Sequence, residues 1–298
     1  MNNQSSRGDS NAITREYLDS ILVEERLINS KLADCSVNIF GHNYQTPIMS
    51  AAFSHLQSYC NGENAAVAMA TGMQSAGALN WWGMSNDAEM ESIFRTGADT
   101  VIIVKPFADE SLIFHEIDFA LKHGAIAVGM DIDHCYSSAG KYDNVLGYEM
   151  RPKTQEQIHK YILAAGETPF IVKGVLSVDD AKKCVEAGAK GLLISHHHGI
   201  IDYAVPPLRV LPDIRKAIGN DIELFVDCGM DSAMDVYKAL ALGADAVSVS
   251  RHILQFLKQD GSRGVENRID EMTQNLVSIM SRTGADNIKD ISSSVLWI

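Results

Sequence analysis

Short apolar runs alternate with segments of helical periodicity along most of the chain. Such runs are typical of buried parallel strands, and segments such as 178–187 and 233–242 have the spacing of amphipathic helices. Eight βα units of this kind predict an α/β fold, a TIM (β/α)8 barrel. A doubly wound sheet is the alternative, but no G-x-G-x-x-G motif follows an early strand. The predicted strands are 47–49, 76–79, 101–104, 126–128, 169–173, 192–194, 224–227 and 246–249.

A repeated Gly-Ala pair marks the places where a helix gives way to the next strand. It occurs at Gly97, Gly124, Gly188 and Gly243, each time shortly before an apolar run. Glycine suits the C-terminal cap of a helix because it adopts positive φ without steric cost. The pairs therefore indicate αβ junctions.

The segments outside this pattern predict three peripheral structures. Residues 1–35 form a polar tip and then a helix over 12–32 that caps the bottom of the barrel, and residues 36–298 form one barrel domain. The loop 137–154 is longer than most connections and is a candidate lid. An amphipathic helix starts near 265, and the apolar tail 295–298 docks either on the chain's own barrel or on a neighbouring subunit.

Composition narrows the classes of partner. With 46% hydrophobic and 21% charged residues, the 298-residue chain suits a globular protein with one large core. A formal net charge of -13 argues against nucleic acid and anionic membrane surfaces, and no apolar run reaches the roughly 18 residues that span a bilayer. The five cysteines show no paired spacing, which favours the reducing cytoplasm. An anionic small molecule must then be bound by a local positive pocket.

Ionisable residues follow several of the predicted strands, at the end where barrels of this kind carry out chemistry. Lys173 follows an apolar run and could hold an anion, act as a base or extend to solvent. Of the consecutive histidines 196–198, alternation along a strand allows only some to face inward, so one is a candidate general base. The alternative is a polar loop in which all three are solvated. Asp227 could orient that base or cap the next helix.

Two neighbouring junctions predict an anion site. Gly229 and the pair Ser250–Arg251 each precede a predicted helix, so backbone N–H groups and a guanidinium could hold a phosphate there. A surface ion pair is the alternative for Arg251. The segment 131–135 with the histidines also suggests a metal, but its spacing is unspecific and we predict none. Trp81 and Trp82 could stack on a ligand or belong to the core.

These residues together resemble the FMN-dependent α-hydroxy-acid oxidase and dehydrogenase family, the group of lactate oxidase and glycolate oxidase. The motifs that carry the resemblance are 171–175, 195–197, 227–229 and 243–251. The resemblance implies a barrel that binds FMN at its C-terminal face, and a homo-oligomer, a tetramer. It implies that Lys173 stabilises the reduced flavin and that His197 removes the substrate proton, or His198 if the alignment shifts by one. Asp227 would pair with that histidine or lie near it, and the implied cofactor contacts are Ala51, Ala52, Lys173, Ser195, Asp227, Gly229, Ser250 and Arg251.

The chain departs from the family where the substrate carboxylate is bound. Ile200 occupies the position of the arginine that binds this carboxylate. Lys105, Lys141 and Arg209 are candidate replacements, so we expect an FMN-dependent oxidoreductase that acts on CH–OH with an altered small-molecule substrate. The alternatives are a catalytically degenerate barrel that binds flavin or a phosphate ligand, and a non-redox isomerase or lyase for a phosphorylated substrate.

Overall fold

The computed structural model describes residues 7–59, 64–249 and 251–298. Its strands, in chain order, are β1 (Leu22–Val23), β2 (Val37–Ile39), β3 (His42–Tyr44), β4 (Ile48–Met49), β5 (Asn80–Trp82), β6 (Thr100–Val104), β7 (Ala127–Asp131), β8 (Asn144–Val145), β9 (Tyr148–Glu149), β10 (Phe170–Val175), β11 (Gly191–Ile194), β12 (Glu223–Val226), β13 (Ala246–Ser248) and β14 (Leu296–Trp297). Its α-helices are α1 (Ser10–Ser20), α2 (Ala65–Ser75), α3 (Asp87–Phe94), α4 (Glu110–Lys122), α5 (Gln155–Ala165), α6 (Val178–Ala187), α7 (Pro207–Ile218), α8 (Ala233–Ala241) and α9 (Ile253–Thr283).

Eight parallel strands form the barrel, in the spatial order β4-β13-β12-β11-β10-β7-β6-β5. The two end strands, β4 and β5, meet through Ser50. Its backbone N–H donates to the Leu79 carbonyl at 3.2 Å, and its hydroxyl oxygen accepts from the Trp81 N–H at 2.7 Å. Because helices alternate with these strands and surround them, the predicted TIM barrel is confirmed.

One predicted strand is wrong in its bounds. The apolar run 76–79 ends α2 and turns the chain, with the Ala78 N–H bonded to the Met73 carbonyl, and β5 starts only at Asn80. These apolar residues therefore cap the end of α2 and do not form a strand. By contrast, α6 has the predicted bounds, because Ser177 caps its start and Gly188, in the left-handed conformation, caps its end.

The predicted N-terminal helix under the barrel is wrong in length and place. α1 ends at Ser20, and its hydroxyl and amide side chains contact the histidine segment that follows β11, at the opposite end of the barrel. The hairpin of β2 and β3 closes the bottom instead: Ile39 and Tyr44 are buried there, and the Phe40 ring lies 5.9 Å from the Phe225 ring. An N-cap at Asp9 starts α1, which then leaves the chain extended as β1.

The C-terminal segment packs on its own chain. α9 runs from Ile253 to Thr283, so the helix predicted directly after Ser250–Arg251 and the amphipathic helix predicted near 265 form one element whose backbone is irregular at Asp260 and Gly261. In the tail, β14 pairs with β1 in antiparallel fashion, and Val295 is buried. The sequence left open whether the tail docks on its own chain or on a neighbouring subunit, and in the structure it docks on its own chain.

The loop 137–154 contains the hairpin of β8 and β9. Its backbone bonds to the segment after β6, with the Ala108 N–H donating to Glu149 and the Arg151 N–H donating to Pro106. Whether the hairpin closes over a ligand stays a prediction. Within the described residues, no helix combines the length and the apolar character needed to cross a membrane.

Candidate active site

The site begins as the top layer of side chains inside the barrel. Along β6, β7 and β10, alternate residues point inward, so Ile103, Gly129 and Ile171 are each followed two positions later by an ionisable side chain. The strand register sets these three side chains, Lys105, Asp131 and Lys173, next to one another. An apolar barrel core therefore ends in a buried ionic layer at its carboxyl end.

A cleft of about 660 Å³ opens above this layer. Most of the predicted site residues meet in its wall, although they come from six different strand ends. Other parts of the wall come from α1 and from the segment 53–59, which the sequence did not single out. The predicted residues in the wall are Ala51, Ala52, Lys105, Lys173, His197, His198, Asp227, Gly229 and Arg251.

Asp131 is the centre of the ionic layer. One oxygen lies 2.6 Å from the Lys105 Nζ, and the other lies 3.3 Å from the Lys173 Nζ. Burial alone would raise the pKa of Asp131, but the two ammonium groups hold it well below its usual range. Burial would in turn lower the pKa of Lys173, and the carboxylates raise it instead. Asp131 is therefore ionised and Lys173 is cationic, which leaves Lys173 able to stabilise negative charge but unsuited to act as a base.

His197 stands at the edge of this layer and faces the cleft. Its Nδ1 lies 2.6 Å from Asp133 Oδ1, 3.4 Å from Asp131 Oδ1 and 3.2 Å from the Lys173 Nζ. Burial and Lys173 lower the pKa of His197, but the two carboxylates outweigh them and raise it. Since Nδ1 is fully engaged, Nε2 is the nitrogen left to accept a proton.

The other two histidines have different surroundings. His196 is buried: Gly199 N–H donates to its Nδ1 at 2.9 Å, so its Nε2 carries the proton and donates to Thr14 Oγ1 at 2.8 Å. Burial lowers the pKa of His196, consistent with a neutral structural imidazole. His198 lines the cleft, and burial and Arg251 lower its pKa. Among the residues that the structure describes, His197 is thus the one histidine of the three with a carboxylate partner.

A left-handed turn separates these three side chains. His197, His198 and Gly199 have φ of 48°, 57° and 80°. Histidine is among the residues that adopt this conformation more often, although it costs roughly 1–2 kcal/mol per residue. Strand alternation therefore stops at Ser195, and the turn rather than the strand decides which imidazole enters the cleft.

Of the two expected relations of Asp227 to His197, the structure shows no ion pair among the described residues, but Asp227 lines the same cleft. The carboxylates beside His197 are Asp131, the last residue of β7, and Asp133 just after it, on the far side of β10. Asp227 follows β12 instead and accepts from the Cys228 thiol at 2.9 Å. The sequence indicates these two aspartates only as residues near the end of a strand. The inward position of Asp131 was visible in the alternation Ala127, Gly129, Asp131.

The cleft has the donors that FMN needs. Lys173 lies at the barrel end of the cleft, and Arg251 lies at the start of α9, whose N-cap residue makes no side-chain cap bond. Uncapped N–H groups beside a guanidinium favour a phosphate. The start of α8 is closed instead by a capping box of Ser232 and Asp235, so Gly229 lines the cleft while α9 supplies the helix terminus. The residues present therefore fit FMN, with Ser195 buried below the His197 backbone, and Ser250 lies outside the described residues.

Several candidates lie away from the cleft. Lys141 is exposed in the hairpin loop, and Arg209 is exposed on α7, where its guanidinium lies 5.8 Å from the Tyr17 ring. Trp81 and Trp82 are fully buried, Trp81 against Phe225 inside the barrel, so they belong to the core. Of the three proposed replacements for the missing arginine, Lys105 alone lines the cleft.

A metal ion suits the ionic layer poorly. Asp131, Asp133 and His197 each place one ligand atom within 4.8 Å of the others. However, Lys105 and Lys173 already contact Asp131, and their positive charges would repel a cation. The prediction of no metal stays a prediction.

Comparison with known proteins finds relatives that are named as dehydrogenases or oxidases. L-lactate dehydrogenase of Pseudomonas syringae pv. syringae is 32% identical over 60% of this chain and 49% of its own length, and glycolate oxidase 2 of Oryza sativa subsp. indica is 24% identical over 96% and 86%. The chain thus spans about half the length of the curated lactate dehydrogenase that it matches. A mandelate oxidase variant with a monooxide FMN adduct superposes with a TM-score of 0.87 and 26% identity, covering 97% of this chain and 91% of that one.

The sequence profile of one family matches both halves of the chain. The matched residues are 2–167 and 160–298, which together cover nearly all of it. The resemblance drawn from the motifs, and FMN as the cofactor, are thereby confirmed. This chain belongs to the family of FMN-dependent dehydrogenases.

Proposed function

We propose that this protein oxidises a CH–OH carbon of a small anionic molecule, with His197 as the general base and Lys105 as the contact for the substrate's anionic group. The observation that carries the proposal is the His197 imidazole, held at Nδ1 by a carboxylate and facing a cleft that also contains Lys173 and Arg251. Bound FMN supplies the two-electron acceptor for this oxidation.

The protein's own residues account for the proton. With Nδ1–H donated to Asp133, the Nε2 lone pair of His197 is free to take the hydroxyl proton of a substrate in the cleft. Asp133 and Asp131 then balance the imidazolium. Lys173, cationic and buried at the cleft floor, stabilises negative charge that develops beside it.

At position 200 the chain has an isoleucine where the family resemblance implies the arginine that binds the substrate carboxylate. Ile200 is partly exposed and carries no charge, so a carboxylate would meet the Lys105 ammonium instead. A lysine offers a point charge rather than a planar fork, and Lys105 is already paired with Asp131 at 2.6 Å. Losing one bidentate contact costs on the order of 2–4 kcal/mol in binding a carboxylate. We therefore expect weak use of simple 2-hydroxy acids.

The test begins with the absorption spectrum of the purified protein and of the protein after FMN addition. The protein is then mixed without oxygen with L-lactate, glycolate and (S)-mandelate, and with their primary amides, and bleaching of the flavin band is recorded. We expect bleaching that depends on His197 and is lost in His197→Gln. If the protein binds flavin but none of these compounds reduces it, the result would support a catalytically degenerate barrel. If the protein does not bind FMN, the remaining alternative would be a non-redox isomerase or lyase for a phosphorylated substrate.

We further infer a cytoplasmic homo-oligomer, a tetramer. Four cysteines of the described residues, at 35, 135, 184 and 228, are free, as is usual in a reducing compartment. Light scattering coupled to gel filtration measures the oligomer directly. A monomer at micromolar concentration would contradict the tetramer.

A further inference from the structure

We propose that His196 is a positioning residue that joins α1 to the left-handed turn 197–199 and so directs the His197 imidazole into the cleft. The inference rests on the proposed role of His197 as the base. His196 itself is 2% exposed, so it acts only through its neighbours. The proposal makes α1 part of the active site at the carboxyl end of the barrel.

The His196 ring connects two segments that are far apart in sequence. The Gly199 N–H donates to Nδ1 of the ring at 2.9 Å, and Nε2–H donates to the Thr14 hydroxyl oxygen at 2.8 Å. Thr14 is 1% exposed, so its bond to the buried ring does not compete with bulk water. One imidazole therefore links the end of the turn to the middle of α1.

Two more side chains of α1 bind the same segment. Asn11 Nδ2 donates to the His198 carbonyl oxygen at 3.0 Å. The Ser10 hydroxyl donates to the Ile201 carbonyl oxygen at 2.6 Å and accepts from the Ala204 N–H at 2.9 Å. Since Ser10 lies one helical turn before the partner of His196, these contacts come from one face of α1. The helix therefore holds the turn and the residues just beyond it.

The turn needs such contacts because its backbone is strained. His197 and His198 have φ of 48° and 57°, a left-handed conformation that is unfavourable for residues with a side chain. The turn lies beyond β11, which ends at Ile194, so the strand ladder does not include it. The hydrogen bonds from His196 and α1 therefore offset strain that strand pairing does not.

A glycine allows the chain before α1 to lie close to this segment. Gly8 has φ +91°, and a Cβ there would lie 2.6 Å from the Tyr203 ring. The Tyr203 N–H donates to the Gly8 carbonyl oxygen at 2.8 Å. A larger residue at position 8 would push the ring away. The close contact between the start of the chain and the histidine segment is therefore a feature of the backbone.

His196 can hold the turn only while it is neutral. The Gly199 N–H needs a lone pair on Nδ1, and an imidazolium has none. Burial lowers the pKa of His196, whereas the neighbouring carboxylates raise the pKa of His197. His197 can therefore accept a proton while His196 keeps its bond to the turn. The charged or titratable groups that face His196 are Asp9, His197, His198 and Asp227.

Hydrogen–deuterium exchange tests the connection without turnover. FMN-saturated protein is labelled at neutral pH, and uptake is measured by mass spectrometry in peptides that cover 196–204. Thr14→Val keeps the shape of the side chain but removes the acceptor for His196 Nε2–H, so we expect exchange there to become about tenfold faster or more. Thr14→Ser keeps the hydroxyl and should exchange like the wild type. His196→Leu removes both bonds and should accelerate exchange at least as much.

A matched control disturbs the same helix elsewhere. The buried Lys238 ammonium donates to the Leu18 carbonyl oxygen at 2.7 Å, near the other end of α1. Lys238→Met should leave the exchange of 196–204 unchanged. Unchanged exchange in Thr14→Val would overturn the proposal, because the turn would then be held without the bridge. Equal acceleration in Lys238→Met would do the same, because α1 would then only loosen as a whole.

Flavin reduction measures the consequence for the base. Thr14→Val should lower the limiting rate of flavin reduction by about tenfold, while the half-saturating substrate concentration changes by less than about twofold, because His197 Nε2 loses its fixed direction. Thr14→Ser should restore the rate. An unchanged rate in Thr14→Val despite faster exchange would contradict the proposal. If no compound reduces the flavin of the wild type, the proposed oxidation fails instead, and the exchange result alone decides whether His196 holds the turn.

Discussion

Replacing Asp131 with asparagine tests how the ionic layer at the barrel mouth is stabilised. The side chain of Asp131 is buried, with the whole residue 2% exposed, and the Lys105 and Lys173 ammonium groups beside it are also buried. The substituted amide would keep the shape of the carboxylate but leave two buried positive charges without their counter-ion. Breaking a buried ion pair from one side costs roughly 3–5 kcal/mol, because the remaining charge cannot reach water. We expect a loss in that range for Asp131→Asn at pH 7.

A matched control is Asp118→Asn on α4. Asp118 also pairs with a lysine, Lys122 at 2.5 Å, but its side chain is 60% exposed. An exposed i,i+4 pair contributes about 0.3–0.5 kcal/mol, so this control should unfold almost like the wild type. Urea unfolding, followed by the fluorescence of the buried Trp81 and Trp82, measures both variants. FMN is held at one fixed excess because bound ligand adds to apparent stability.

The loss should also depend on pH in a defined direction. The folded-state pKa of Asp131 is depressed, so its contribution is fully present above the unfolded value of 3.8 and is lost as pH falls toward the folded value. The gap between wild type and variant should stay constant from pH 7 to about 4 and narrow below it. Adding Lys105→Met to the variant should recover part of the loss by removing one unpaired charge. An Asp131→Asn protein within about 1 kcal/mol of wild type at pH 7 would refute the reasoning.

Three further variants test single contacts. Thr14→Val removes the acceptor of the buried His196 Nε2–H and should lower the free energy of unfolding by about 1–3 kcal/mol, whereas Thr14→Ser keeps the hydroxyl and should not. Thermal unfolding compares the two variants, and equal melting temperatures would show that the hydrogen bond contributes nothing. Gly174→Ala should lower the free energy of unfolding by clearly more than the roughly 1–2 kcal/mol expected for Gly124→Ala, because position 124 also has positive φ but no neighbouring atoms within 4 Å, whereas a Cβ at position 174 would lie 2.5 Å from the Asp133 carboxyl carbon. Similar losses for the two variants in urea unfolding would mean that the Asp133 carboxylate moves aside. Arg251→Met should weaken FMN binding by about 10- to 100-fold in a fluorescence titration, with exposed Lys258→Met on the same helix as control, and unchanged affinity would place the phosphate elsewhere.

Much of the barrel could be predicted because each of its units repeats a local signal. α6 has its predicted bounds since Ser177 and Gly188 cap it independently of the rest of the molecule. The segments that were misplaced lack such local control. α1 was predicted to run to residue 32, but the chain after Ser20 is held by pairing with a tail at the other end of the sequence. No window of the sequence contains both partners of that pair.

The candidate site shows the same division between local and long-range information. Lys173 and His197 follow apolar runs of the sequence, so their position at the mouth could be predicted from the sequence alone. Asp131 could also be assigned to the barrel interior, because it continues the inward alternation of β7. Alternation does not predict which strand is the neighbour. The register of β7 against β10 sets Asp131 beside Lys173, and the sequence instead indicated Asp227 as the carboxylate near His197.

Asp133 lies beyond the reach of periodicity altogether. It follows the end of β7, where alternation no longer applies, and its side chain reaches His197 only because Gly174 in β10 leaves the space empty. The left-handed turn at 197–199 then decides which of three equivalent-looking imidazoles meets it. The surroundings of His197, the proposed base, thus depend on three backbone features from different strand ends. For this reason a motif could identify the histidine, while the carboxylate that contacts its Nδ1 could be identified only from the structure.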